Sequence, residues 1–481
     1  MLFTSYKYGL FVLAAFALVW LVVRFARKPR TTTAALLVLS YAFYALWDWR
    51  WCALLAAITA SGFVGGLWLD ARAGGGRQRA RLAVLVLFNL CILGAFKYFD
   101  FFAGSFARLL GHVGLHVDQV TLGLILPIGI SYYTFQNLSY VIDVYRRTLP
   151  PTRDVVTYAC SLALFPQLLA GPITRPRDLL PQLARRREFD SDLARDGLRQ
   201  MLWGFFKKMV IADNIGVRVD AVWAARGHVN SIDVLCTAVL YSVQIYCDFS
   251  GYADIAIGTA KLFNIRLSPN FDYPYFSVGI RAFWRRWHMT LSSWARDYVY
   301  ISLGGNRVPR WRRSLNVLLT FLAIGLWHGA NWTFIVWGGL HGLYNIVETA
   351  FSRKPRATRE PSEAATRTSG PWRYAAWGIV TFTAVTFAWV FFRAPSLGAA
   401  FSFLSRLAVA PAALSTYRPY LTLLLASAGL FAYEWLTRGW EHGLAVGRLA
   451  LPARWAAYLA TCLILLLTGY LGSRAGIYVQ F

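Results

Sequence analysis

The sequence predicts an all-α integral membrane protein that crosses the bilayer about twelve times, with re-entrant and interfacial helices besides. Three observations carry that expectation. Of 481 residues, 57% are hydrophobic and only 15% charged, against about 25% charged in a soluble domain. The apolar residues fall in runs close to the ~20 residues a helix needs to cross the hydrocarbon core. Basic residues gather in short intervals between those runs, as in loops retained on the cytoplasmic side.

Taken in order, the runs predict spans at 8–23, 34–48, 51–69, 82–102, 120–145, 202–220, 233–262, 313–327, 331–348, 373–393, 418–437 and 454–472. The first lacks a basic leader region and is followed by Arg24 to Arg30, so it reads as a retained helix with its N-terminus outside. Counting from there, the basic loops 24–33, 70–81, 146–201, 263–312 and 349–372 all fall inside, an agreement that the count did not impose. No polar stretch is long enough to fold separately, and residues 1–481 are expected as a single integral membrane domain. In a soluble protein the formal charge of +26 would suggest nucleic acid. Here it sets topology and meets anionic lipid, and no nucleic-acid partner is expected.

Two inner loops stand out. Residues 154–201 contain Phe165-Pro166-Gln167-Leu168-Leu169-Ala170-Gly171-Pro172, too short and broken to span. The backbone groups that proline and glycine free must be satisfied by protein or water, so a re-entrant or interfacial segment is expected. In 281–300, Trp284, Trp287, Leu291, Trp294 and Tyr298 recur at helical spacing with Arg281, Arg285, Arg286 and Arg296 between them. That pattern predicts one amphipathic helix lying at the interface.

His328 is the first candidate for chemistry. It lies in Gly325-Leu326-Trp327-His328-Gly329-Ala330-Asn331-Trp332, among residues that otherwise read as membrane-buried helix. A polar group in hydrocarbon is costly unless paired or facing a watery cavity, which makes an intramembrane histidine a functional candidate by default. Imidazole is also suited to moving protons near neutral pH. Asp248 and Asp254 interrupt another apolar run and could line a passage, pair with an arginine or form a structural network. Six cysteines are scattered without CxxC spacing and read as small buried hydrophobes. No HExxH or GxSxG motif is present, so metal and serine hydrolase chemistry lack support and no metal site is expected.

Four blocks resemble the membrane-bound O-acyltransferase family: Tyr246-Cys247-Asp248-Phe249-Ser250-Gly251-Tyr252-Ala253-Asp254, Phe283-Trp284-Arg285-Arg286-Trp287-His288-Met289-Thr290-Leu291-Ser292, Gly325-Leu326-Trp327-His328-Gly329 and Phe387-Ala388-Trp389-Val390-Phe391-Phe392-Arg393. They are most similar to its bacterial branch, whose members include enzymes of alginate O-acetylation and teichoic-acid D-alanylation. The resemblance implies a helical fold whose funnel or tunnel brings an acyl donor and an acceptor hydroxyl to one histidine. His328 matches that histidine, and attack of a hydroxyl on a thioester needs such a base.

His288 lies in a block where family members also carry a histidine. It reads as a second acid or base, or as a headgroup-level residue packed beside Trp284. Arg285, Arg286 and Arg296 could hold coenzyme A phosphates, although interfacial anchoring explains them equally well. His341, in Trp337-Gly338-Gly339-Leu340-His341-Gly342, reads as structural beside glycines that suggest close helix packing. The end Gly476-Ile477-Tyr478-Val479-Gln480-Phe481 resembles a tyrosine-containing terminal motif of bacterial members, which implies that Tyr478 carries the acyl group. A phenol beside a histidine base is a fair nucleophile. Against that stand an aromatic-belt reading and Val479, which replaces the more usual aromatic residue.

The expected protein is thus a multi-pass O-acyltransferase of a bacterial inner membrane. It takes acetyl from cytosolic acetyl-CoA, with no permanently bound cofactor, for O-acetylation of an exported or cell-wall polysaccharide. The resemblance further implies a periplasmic or outer-face acetyltransferase partner. Two alternatives are a D-alanyl or other acyl transferase acting on teichoic acid or peptidoglycan and, from another class, a transporter or flippase. Transporters often show inverted repeats, and none is evident here.

Overall fold

The structure, a computed structural model, describes all residues except 1–2, 27, 71–74, 116–120, 226–228, 352–369, 411–416, 471, 473, 475 and 478–481. Among the described residues every regular element is helical and no strand occurs. Six of the described helices are long and apolar enough to cross a membrane: Tyr6–Phe25, Trp51–Asp70, Gly76–His112, Ser231–Leu262, Trp372–Arg393 and Leu451–Thr468. The remaining expected spans are helical too, one of them only in part, but shorter or more polar. The expected run at 120–145 is helical only over Ile130–Tyr145. Gly129 precedes it at φ +82°, where a Cβ would lie 2.3 Å from the Leu168 carbonyl oxygen.

The chain divides into two compact units, 1–201 with 252–268 and 475–481, and 202–251 with 269–474. In the first unit, a buried polar knot joins neighbouring helices. Asn137 donates from Nδ2 to Ser61 Oγ (3.1 Å) and Asn89 Oδ1 (2.9 Å), and accepts from the Tyr158 hydroxyl (2.6 Å). Each group finds a partner inside the unit, which membrane depth requires. The Phe165–Pro172 segment, expected to be re-entrant or interfacial, is wholly buried here, with one short helix at Phe165–Leu168.

In the second unit, the hairpin of Arg310–His328 and Trp332–Phe351 carries the intramembrane histidine. Its helices meet backbone to backbone. A Cβ on Gly338 would stand 2.3 Å from the Phe321 carbonyl oxygen, and one on Gly325 2.3 Å from that of Phe334. Small residues at such a contact are what packing between membrane helices demands. Gly338→Ala is therefore expected to push the helices apart and cost about 1–3 kcal/mol. At Gly339 a Cβ meets only the Leu322 Cδ2, at 3.7 Å, so Gly339→Ala should be tolerated. Thermal melts of the two variants in detergent decide the matter: equal melts would refute the close-contact account.

One sequence expectation needs correction. The segment 281–300 is not one amphipathic helix. It forms helices Ile280–Arg286 and Met289–Ala295, followed by a π-helical turn at Arg296–Tyr300. The break falls at His288, whose backbone is left-handed (φ 43°, ψ 53°), a conformation that costs a non-glycine residue free energy. Trp284 and His288 consequently do not share the face of a single helix. The segment is also largely internal: Phe283, Trp284, Trp287, His288, Leu291 and Trp294 are all buried.

Candidate active site

His328 is the last residue of its helix, with only 1% of its surface exposed. The chain leaves the helix through Gly329, where a Cβ would meet the Phe334 ring at 2.2 Å. Asn331 then caps the next helix, accepting the Thr333 N–H at Oδ1 (3.1 Å), the usual role of asparagine there. The imidazole is thereby held at a rigid corner. Around it stand Trp337 (ring centroids 5.0 Å apart), Phe392 (5.2 Å) and His288 (6.5 Å).

His288 is fully buried, and three hydrogen bonds explain its unusual backbone. Met289 donates its N–H to the Asn270 carbonyl (2.9 Å), and Thr290 donates both N–H (3.3 Å) and O–H (2.9 Å) to Asn270 Oδ1. The same Oδ1 lies 3.1 Å from His288 Nδ1. A backbone N–H can only donate, so the Asn270 atom facing it must be the oxygen. His288 therefore carries its proton on Nδ1 and presents a lone pair at Nε2. Burial pushes this imidazole down to about 3, so the ring is neutral at physiological pH and can accept a proton. At a centroid separation of 6.5 Å, one hydroxyl could lie within hydrogen-bond reach of His288 and His328 together.

The four sequence blocks converge here. Phe249 meets His288 edge to face (4.7 Å), and Tyr246 lies 6.3 Å from Trp287. Trp389 packs between Trp287 (5.0 Å) and Trp337 (5.5 Å), while Phe392 covers His328. His341, fully buried, accepts the Trp284 indole N–H at Nδ1 (3.2 Å).

The other candidates fall elsewhere. Arg285 and Arg296 are exposed. Arg296 Nε donates to Asp297 Oδ1 (2.7 Å), and Arg286 Nε lies 3.8 Å from Asp272 Oδ2. Tyr478 lies outside the described residues. Asp248 pairs with lysine, not arginine: Lys208 Nζ bridges Asp248 Oδ1 (2.5 Å) and Asp213 Oδ1 (2.7 Å), and all three side chains are at most 5% exposed. Asp254 accepts from Gln200 Nε2 (2.8 Å). Sequence reading missed Lys208, Asp213 and Asn270. For the first two a signal existed, since Lys207-Lys208 and Asp213 interrupt an expected span.

A model of the membrane-bound O-acyltransferase family matches residues 148–392, a stretch that includes both His288 and His328. The chain is 41% identical to a probable alginate O-acetylase of Azotobacter vinelandii, over 76% of this chain and 70% of that protein. It is 35% identical to a peptidoglycan O-acetyltransferase of Helicobacter pylori, over 78% and 73% respectively. A teichoic acid D-alanyltransferase of Streptococcus thermophilus is 27% identical, over 61% and 75%.

Proposed function

The chain belongs to the membrane-bound O-acyltransferase family, and from that premise we propose that it moves an acetyl group from cytosolic acetyl-CoA across a bacterial inner membrane for O-acetylation of an exported or cell-wall polysaccharide. It is a multi-pass membrane O-acyltransferase. The observation that carries the finer reading is a buried His328, set 6.5 Å from a neutral His288 at the meeting point of all four blocks. In this reading His328 takes the proton of the attacking hydroxyl, and His288 Nε2 offers a second acceptor for it. The basic inner loops draw in the polyanionic donor. Tyr478 receives the acetyl group and passes it to an outer-face acetyltransferase partner. Acetyl is preferred to D-alanyl because the relatives named as O-acetylating enzymes are 41% and 35% identical and the D-alanyltransferase 27%.

The test is incubation of the purified protein in vesicles with carbonyl-labelled acetyl-CoA, followed by mass spectrometry of the C-terminal peptide. Release of free CoA together with label on Tyr478 is expected. An active preparation whose peptide stays unlabelled rejects the tyrosine relay. Failure to release CoA, where D-alanyl donors are accepted, rejects acetyl-CoA as the donor.

A further inference from the structure

The second unit buries several N–H donors, in and around the aromatic cluster that includes Trp337 beside His328, that find no acceptor among the described residues. They are Trp287 Nε1, Trp337 Nε1, His341 Nε2 and Asn270 Nδ2, in residues no more than 1% exposed. An indole N–H can only donate. His341 is assigned by the same logic. Its Nδ1 accepts the Trp284 N–H, so a neutral ring carries its proton on Nε2. The ring is packed among aromatic side chains, including Phe283, Trp337 and Trp389. Burying a donor without an acceptor is unfavourable, and a site of this kind calls for a reason.

Position supplies one. The Trp337 ring lies 5.0 Å from that of His328 and 5.0 Å from that of His341, centroid to centroid, so Trp337 stands between the base and His341's side of the aromatic cluster. A phenylalanine at 337 would keep an aromatic ring there without stranding an N–H. His288 and His341 are also held in opposite tautomers, His288 with an acceptor at Nε2 and His341 with a donor there. A site that offers both a base and unmet donors suits a substrate that loses a proton at one atom and gains negative charge at another.

We propose that Trp337 Nε1–H and His341 Nε2–H form the oxyanion-binding half of the site, donating to the acyl carbonyl oxygen as it becomes negative. This rests on acyl transfer at His328. The acceptor oxygen bonds to the carbonyl carbon while its proton passes to His328. The carbonyl π pair moves onto oxygen, where the two N–H groups hold it. Collapse restores the carbonyl, breaks the carbon–sulfur bond and expels a thiolate, which takes the proton back from His328 and leaves as the thiol. Donors aimed at developing charge in a dry site stabilise the transition state more than the ground state. His341 then has a role beyond helix packing.

The experiment compares Trp337→Phe, His341→Asn and His341→Gln in the full chain, following CoA release from acetyl-CoA. Asparagine keeps an acceptor for Trp284 but loses the far N–H, whereas glutamine keeps a terminal N–H near Nε2. For Trp337→Phe and His341→Asn, kcat should fall about 100-fold with KM for acetyl-CoA changed by less than about threefold. His341→Gln should retain at least about tenfold more activity than His341→Asn, in line with a retained donor. Wild-type kcat in Trp337→Phe and His341→Asn would overturn the proposal, as would losses carried wholly by KM. A second measurement does not need turnover: the infrared carbonyl stretch of labelled acetyl-CoA bound to His328→Ala should rise when Trp337→Phe is added, and an unmoved band counts against the assignment. Absence of CoA release from the wild-type protein would instead strike the acyl-transfer reading beneath it.

Discussion

His328→Gln is expected to lower acyl transfer by at least about a thousandfold, within the range a positioned general base supplies, while the protein still folds. Glutamine fills much of the imidazole's space but cannot take a proton near neutral pH. His328→Ala should be equally inactive and less stable, because it leaves a void among Trp337 and Phe392, and opening such a void costs about 2–5 kcal/mol. CoA release and a melting curve, taken on both variants, separate the two effects. KM for the donor should hardly change, since a proton acceptor acts on the reacting atoms rather than on ground-state binding. A folded His328→Gln protein that releases CoA at the wild-type rate would remove this residue from the chemistry. The transporter alternative makes the opposite prediction: flux without any acylated product, and indifference to the imidazole's basicity.

Fold class was legible because it depends on composition and run length, which a sequence displays directly. The importance of His328 was legible for a related reason, since an imidazole among apolar residues is conspicuous in one dimension. What the sequence hid was set by contacts distant along the chain. Trp284, Trp287, Leu291 and Trp294 keep helical spacing, yet the helix breaks at His288 because Asn270, 18 residues earlier, binds Met289, Thr290 and the imidazole at once. No local propensity announces that. The tautomers of His288 and His341 depend likewise on partners 18 and 57 residues away. Arg393, a member of one recognisable block, gained its explanation only in space. It pairs with Asp220 (2.6 Å), which also binds Arg474, and its guanidinium lies over Trp223. By contrast, the late start of the helix at Ile130 was written in Pro127 and Gly129, and the apolar run concealed it.

The other large effect is expected at Lys208. Its ammonium lies between Asp213 and Asp248, bonded to both, and none of the three side chains is more than 5% exposed. Taking a charge out of water is offset only by close partners, so removing the shared cation strands two like charges where water cannot screen them. Lys208→Met should therefore destabilise the unit by about 3–5 kcal/mol, the range measured when a buried pair loses one member. The damage should spread, because Arg474 donates to the Asp213 carbonyl (3.1 Å) and pairs with Asp220. Single neutralisation, Asp213→Asn or Asp248→Asn, leaves one full ion pair and should cost less. The informative variant combines Lys208→Met, Asp213→Asn and Asp248→Asn. If the cost of the single lysine change is stranded charge, the triple variant recovers much of the stability, a non-additivity expected of neighbours sharing one network. If instead the lysine stem supplies packing, the triple variant melts no higher than Lys208→Met alone, and the ion-pair account fails. Acyl transfer by a folded triple variant would further show that this buried charge supports the scaffold of the site rather than its chemistry.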